Sequence, residues 1–149
     1  MRLNNKVAII TGSAGGIGFA TARKFANEGA KIVLWDIEED RLSQAAMQIS
    51  QITSTKFSVV DVSNLQDVQL RFNEIINDFG SVDIMVANAG ITRDAMLHKM
   101  TQDHWNQVID VNLKGVFNCG QTAAKFMREQ GSGVILATSS VVGLDGNIG

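Results

Sequence analysis

The chain has 149 residues, 45% hydrophobic and 19% charged, which is material for one domain of ordinary size with a packed core. A net charge of −2 argues against nucleic acid or an anionic membrane as a partner, and a single cysteine, Cys119, excludes an internal disulfide. No apolar run reaches the length of a membrane span and residues 1–5 leave no room for a signal peptide before the first strand, so a soluble, reducing, cytoplasmic setting is expected.

The first predicted element is an apolar strand, Val7–Thr11, which runs into Gly12-Ser13-Ala14-Gly15-Gly16-Ile17-Gly18 and then a helix-forming stretch. A second strand, residues 31–35, ends on Asp36. Together these read as a nucleotide-binding βαβ unit. Glycines at 12, 16 and 18, in the pattern G-x-x-x-G-x-G, let the backbone turn tightly and bring N–H groups at a helix N-terminus toward a pyrophosphate. Taken alone the turn reads equally as an ordinary strand-to-helix loop; the preceding strand, the following helix and the acid after the next strand tip the balance. Asp36 stands where a carboxylate accepts from a ribose diol, against the alternative of a solvated residue ahead of Ile37. Glu38-Glu39-Asp40 reads as a solvated acidic first turn of a helix, favourable to its dipole.

Three more strands follow, at residues 57–60, 84–87 and 134–138. All five are apolar with little polar alternation, as parallel strands covered on both faces should be. Asp61-Val62 follows the third strand. A helix begins after Ser63, whose side chain with Gln66 fits a capping box, and carries Leu65, Val68, Phe72, Ile75 and Phe79 on one stripe. Asn88-Ala89-Gly90 closes the fourth strand with small residues. The next helix starts near Thr101 and puts Trp105, Val108, Asn112, Val116, Ala123 and Met127 near one face, so the Asn112 amide needs partners there. Cys119 lies among apolar neighbours as a small buried side chain. His98 and His104 lack a metal-ligand pattern and read as surface groups; no metal is expected. Strand and helix alternate without repeat or linker, which implies one domain over residues 1–149.

These motifs, from Lys6 to the last residue, resemble the short-chain dehydrogenase/reductase family, with residues 11–18 similar to its Thr-Gly-x-x-x-Gly-x-Gly cofactor turn. The resemblance implies an α/β, Rossmann-type doubly wound parallel sheet of order 3-2-1-4-5. It implies that Asp61 accepts from an adenine amino group beside the Val62 backbone, and that Asn88, Ala89 and Gly90 lie against a cofactor ribose. It makes Asn112 the holder of a proton-relay water and Ser140, selected over Ser139 by the register Ser-Val-Val-Gly, the group that orients a substrate carbonyl. Asn88-Ala89-Gly90-Ile91-Thr92-Arg93-Asp94 and Ser140-Val141-Val142-Gly143 are similar to 3-oxoacyl-thioester reductases, acting on carrier protein or coenzyme A. NAD(H) is favoured over NADP(H), because Asp36 repels a 2′-phosphate and Gly15 stands where phosphate-preferring members place an arginine.

The chain contains no tyrosine, and the family's acid is a tyrosine in Tyr-x-x-x-Lys. Counted from Ser140, that motif falls beyond Gly149, so the chain is expected to be the front part of an enzyme, inactive alone, with the C-terminal part of the fold absent. An NAD-linked secondary-alcohol dehydrogenase and a noncatalytic nucleotide-binding module are the competing readings. The tail of the long helix, Lys125 and Arg128 followed by Glu129, is less basic than docking of an acidic carrier protein favours. By resemblance the intact enzyme is a homotetramer or dimer. A polypeptide ending at Gly149 is expected to uncover an apolar helix face and an unpaired strand, and to aggregate.

Overall fold

The computed structural model describes residues 1–146; the expected break after Gly149 lies outside the described residues. The strands are β1 (Val7–Thr11), β2 (Lys31–Asp36), β3 (Thr55–Val59), β4 (Ile84–Ala87) and β5 (Val134–Ala137). They form one parallel sheet in the order β3-β2-β1-β4-β5, as expected. The helices are α1 (Gly16–Asn27), α2 (Glu39–Ser50), α3 (Leu65–Phe79), α4 (Gln102–Ile109), α5 (Val116–Gln130) and the short α6 (Val142–Asp145). Thr11 lies opposite Trp35, and Val86 opposite both Ile10 and Leu136, so the carboxyl ends of the strands emerge along one edge. No helix of the described residues is long and apolar enough to cross a membrane.

Two cores explain why the central strands are apolar throughout. Val7, Ile9, Val33 and Trp35 face Phe72 and Ile75 of α3 and Cys119, Ala123 and Met127 of α5. Ala8, Ile10, Ile32 and Leu34 face the other way, onto Ala22 and Ala26 of α1 and Leu42 and Ile49 of α2. Each fully buried aliphatic side chain contributes about 1.5–3 kcal/mol, and alternating directions put that gain on both faces. The outer strands depart from the expectation of cover on both faces. Phe57 and Val59 of β3 are 43% and 39% exposed, and Val134 and Leu136 of β5 are 52% and 46% exposed. These are the two edges of the sheet.

The helix starts and turns also differ in detail. Ser63 does not cap α3: its N–H and hydroxyl donate to Asp61 Oδ1 at 2.9 and 2.7 Å. Asn64 is the cap, its Oδ1 accepting from the N–H groups of Gln66 and Asp67, so the expected Ser63–Gln66 box does not form. The Asp61 carboxylate draws Ser63 into a local turn and moves the helix start on by one residue. The expected stripe holds, with Val68, Phe72 and Ile75 buried.

The long helix is not continuous α-helix. Between α4 and α5, residues Asp110–Gly115 are π-helical. Such a bulge widens the turn and rotates everything beyond it relative to what came before. The single face expected for this helix therefore splits. Ala123 and Met127 are buried, Val108 and Val116 are half-buried, and Trp105 and Asn112 are exposed. Gly115, Asn118 and Thr122 take inward positions that a constant period does not assign them.

Candidate active site

A hub of hydrogen bonds joins the carboxyl ends of three strands. The hydroxyl of Thr11, last residue of β1, accepts from the N–H groups of Asn88 and Ala89, both at 2.9 Å. The Asn88 amide in turn donates to the carbonyls of Thr11 and Gly12, and its oxygen accepts from the Thr138 hydroxyl just past β5. The small-residue exit from β4 is thus also the clamp that aligns β1, β4 and β5.

The glycine turn is built against this hub. Gly12 has φ +63°, and a Cβ on it would stand 2.8 Å from Ala89 Cα. A Cβ on Gly18 would stand 2.2 Å from the Gly12 carbonyl oxygen, so a residue larger than glycine cannot enter without moving backbone. Ser13 is buried, donating its hydroxyl to the Trp35 carbonyl. The first residues of α1 carry no side-chain cap and no acid. Their N–H groups and the positive end of the helix dipole are left for an external anion. Gly16 and Ile17 lie on that first turn, with Ile17 exposed.

Asp36 ties the turn to the end of β2. Its Oδ2 accepts from Ala14 N–H at 2.9 Å, and its Oδ1 accepts from Ile37 at 2.8 Å and Glu38 at 3.3 Å. A carboxylate offers about four acceptor sites, so about one remains for a hydroxyl on the cleft side. The cleft itself, of about 570 Å³, runs along the carboxyl edge of the sheet. Gly12, Gly15, Asp36, Ile37, Asp61, Val62, Asn88, Ala89 and Gly90 all line it. Gly16, Ile17, Gly18, Asn112 and Ser140 are not among its lining residues.

Gly15 itself carries no charge, but α2 brings one beside it. Arg41 reaches back over the turn, and a Cβ on Gly15 would lie 2.6 Å from its Nη2. Arg41 Nη1 is paired with Glu38 Oε2 at 3.0 Å, and both residues line the cleft. Glu38 is therefore more than part of a solvated acidic turn.

At the far side, Val62 is held by α5: Asn118, 3% exposed, donates from Nδ2 to the Val62 and Ser63 carbonyls at 2.9 and 3.2 Å. The Asp67 carboxylate accepts from Asp61 N–H at 3.0 Å and steadies the same loop from α3. Asn112 meets its hydrogen-bonding need outside the core. Its Oδ1 accepts from Ile91 N–H and its Nδ2 donates to the Ile91 carbonyl, each at 2.9 Å. This pair anchors the segment after β4, from which Gly90, Ile91 and Arg93 line the cleft. Ser140 is exposed beyond β5, its hydroxyl accepting from Val142 N–H at 3.4 Å. Cys119 is buried, and loss of solvent pushes its thiol up to about 12. Among the described residues no cluster of His, Cys, Asp or Glu is arranged to hold a metal ion.

Thr11 as a hub, Ser13, Arg41 and Asn118 were not singled out for these contacts by the sequence pattern. Asn118 and Thr122 carried a faint signal, two polar residues at i, i+4 beside buried positions. Arg41 carried one in its i, i+3 spacing from Glu38, which marks a helix pair but not what the pair faces.

The profile of the short chain dehydrogenase family matches residues 6–149. A 3-oxoacyl-(acyl-carrier-protein) reductase FabG of Thermotoga maritima is 41% identical over 150 residues, covering 100% of this chain and 61% of the relative. A 3alpha-hydroxysteroid dehydrogenase of Mediterraneibacter gnavus is 40% identical over 149 residues, covering 98% of this chain and 60% of the relative. The chain thus spans about 60% of the length of the curated relatives it matches. Among solved structures, an NAD+-bound xylitol dehydrogenase superposes with a TM-score of 0.96 at 29% identity, over 99% of this chain and 58% of that one. An alcohol dehydrogenase of Thermococcus sibiricus complexed with 5-hydroxy-NADP superposes with a TM-score of 0.86 at 32% identity, over 92% of this chain and 59% of that one. With strand order, glycine turn and profile in agreement from the first strand onward, the chain belongs to the short chain dehydrogenase family.

Proposed function

We propose that the intact protein is an NAD(H)-preferring oxidoreductase that reduces a 3-oxoacyl thioester, on coenzyme A or an acyl carrier protein. The observation that carries the reading is the cleft at the carboxyl edge of the sheet. It is lined by Gly12, Gly15 and Asp36 and by Gly90, Ile91 and Arg93 of the thioester-reductase-like segment, and the uncapped α1 begins directly after Gly15. The residues present fit a dinucleotide, since the glycine turn admits backbone contact, α1 leaves donors free and Asp36 keeps an acceptor. A bound nicotinamide would supply hydride to a carbonyl carbon, or accept it in reverse.

The residues of this chain bind, align and stabilise. Gly12, Gly15, Gly16, Ile17 and Gly18 form the pyrophosphate turn; Asp36 and Ile37 face the adenosine ribose; Asp61 and Val62 bound the adenine; Asn88, Ala89 and Gly90 back the second ribose. Ser140 hydrogen-bonds the oxygen on which charge develops, an interaction stronger in the transition state than in the ground state. Asn112 holds the Gly90–Ile91 segment in place. These 149 residues contain no tyrosine, so a tyrosine proton donor for this reaction is not among them.

The test is an assay of the full-length protein with acetoacetyl-coenzyme A, comparing NADH with NADPH. NADH is expected to give the higher kcat/KM, and Ser140→Ala is expected to lower kcat by roughly 10²–10³-fold with cofactor affinity retained. Equal or better use of NADPH overturns the cofactor assignment; full turnover by the serine variant overturns that role. Oxidation of a simple secondary alcohol is the second reading. It is favoured by Asp36 and by the similarity to the hydroxysteroid dehydrogenase, and activity on alcohols without thioester reduction would select it. Tight cofactor binding with no reaction on either substrate would instead select the binding module.

A further inference from the structure

Three charges meet at the adenosine end of the cleft, and their arrangement goes beyond the single acid that the sequence offers. Asp36 is immobilised by three backbone N–H groups. Arg41 projects from α2 into the space left by the missing side chain of Gly15, 2.6 Å from where a Cβ there would stand. Glu38 holds that guanidinium at 3.0 Å. Both partners are more than half exposed, at 60% for Arg41 and 54% for Glu38, so the ion pair is weak and either partner can be drawn off.

A guanidinium is well suited to a phosphate, by charge and by bidentate geometry, and here one lines the cleft on the same side as Asp36. A phosphate can engage it only in competition with Glu38. A 2′-phosphate arriving there would meet the Asp36 carboxylate, and taking Arg41 would leave the Glu38 carboxylate bare beside it. Selectivity then rests on a repulsive element together with a contested attractive one.

Resting on the dinucleotide reading above, we propose that the Glu38–Arg41 pair is a selectivity lock: Glu38 competes for Arg41 and so disfavours 2′-phosphorylated adenosine, and releasing Arg41 favours it. The discrimination does not come from Asp36 alone. Replacement of Glu38 both removes a negative charge and frees the guanidinium.

The experiment uses the adenosine half of the cofactor, which reads binding without turnover. Adenosine 2′,5′-bisphosphate and 5′-AMP are titrated calorimetrically into the full-length protein, its Glu38→Gln variant and the Glu38→Gln/Arg41→Ala double variant. The wild type is expected to favour 5′-AMP. Glu38→Gln is expected to raise the ratio of bisphosphate to monophosphate affinity on the order of ten-fold, the effect of one additional charge-assisted hydrogen bond to the 2′-phosphate. The double variant is expected to lose most of that increase. An unchanged ratio in Glu38→Gln, or an increase that survives loss of Arg41, overturns the lock while leaving the dinucleotide site in place. Failure of all three proteins to bind either nucleotide overturns the dinucleotide reading and the lock with it. Arg41→Ala alone gives a control against misfolding of the first variant: the lock requires that it leave the wild-type preference for 5′-AMP intact, and reversal of that preference would overturn it.

Discussion

Asn88 makes its case through atoms. Its Nδ2 serves two carbonyls of the β1 exit and its Oδ1 serves Thr138 beyond β5, so Asn88→Ala strips partners from two strand ends at once. Polar groups left unpaired in a partly buried site cost about 1–3 kcal/mol, and that loss is expected in the urea midpoint with the slope unchanged. Cys119 is the other residue with a measurable signature. Burial raises its thiol from 9.0 to about 12, so the folded state keeps the proton that an unfolded chain releases first. Its contribution is complete below pH 9 and fades as pH rises toward 12. The wild type should therefore lose stability more steeply than Cys119→Ala as pH rises from 9.0 toward about 12, as read from paired denaturation curves. Parallel pH profiles would show that the thiol does not stay neutral in the fold.

At the scale of elements, short contacts decide where each helix begins and which way it faces. Asn64, rather than Ser63, satisfies the open N–H groups of α3. Asn64→Ala is accordingly expected to lower stability by about 0.5–2 kcal/mol, the usual worth of a cap. Ser63→Ala should leave the helix start intact, because its hydroxyl serves Asp61. Equal loss of helical circular dichroism on heating both variants would return the cap to Ser63. The π-helical turn at Asp110–Gly115 has a similar effect on the long helix. It leaves Asn112 free to grip Ile91 and turns Asn118 inward to grip Val62, so one helix positions two walls of the cleft. Gly115 belongs to the same arrangement, since a Cβ there would press to 2.6 Å from Val62 Cγ2.

For the whole molecule, the covered and uncovered surfaces are sharply divided. The two sheet faces over β1, β2 and β4 are closed, whereas Trp105, Leu113 and Phe117 are 56%, 64% and 59% exposed and, among the described residues, β5 ends the sheet with an open edge. Apolar surface beside an unpaired strand favours association. A polypeptide made of these 149 residues alone is expected to sediment at micromolar concentration as a mixture of associated species and to melt without a sharp transition. A single monomeric boundary with a cooperative melt would contradict this and strengthen the noncatalytic reading.

What was legible in the sequence is what neighbours along the chain decide. Apolar runs of strand length mark four of the strands, whereas β3 starts at Thr55, two residues before the run at 57–60, and ends at Val59; the tight turn from Gly12 to Gly18 requires glycine, and Asp36 ends β2, so its place at the sheet edge comes with the strand. The order 3-2-1-4-5 came from the resemblance and agrees with the sheet. The partners of the site residues were not legible, because they come from elements far apart in the chain. Asn88 bonds Thr11 across 77 positions and Asn118 bonds Val62 across 56, and no periodicity encodes either. The same holds for Arg41. Its sequence spacing shows a helix pair with Glu38, but only the docking of α2 on β2 brings its charge over Gly15. Edge exposure of β3 and β5 is likewise a property of the assembled sheet, since a strand's cover depends on which helices pack over it and not on its own residues.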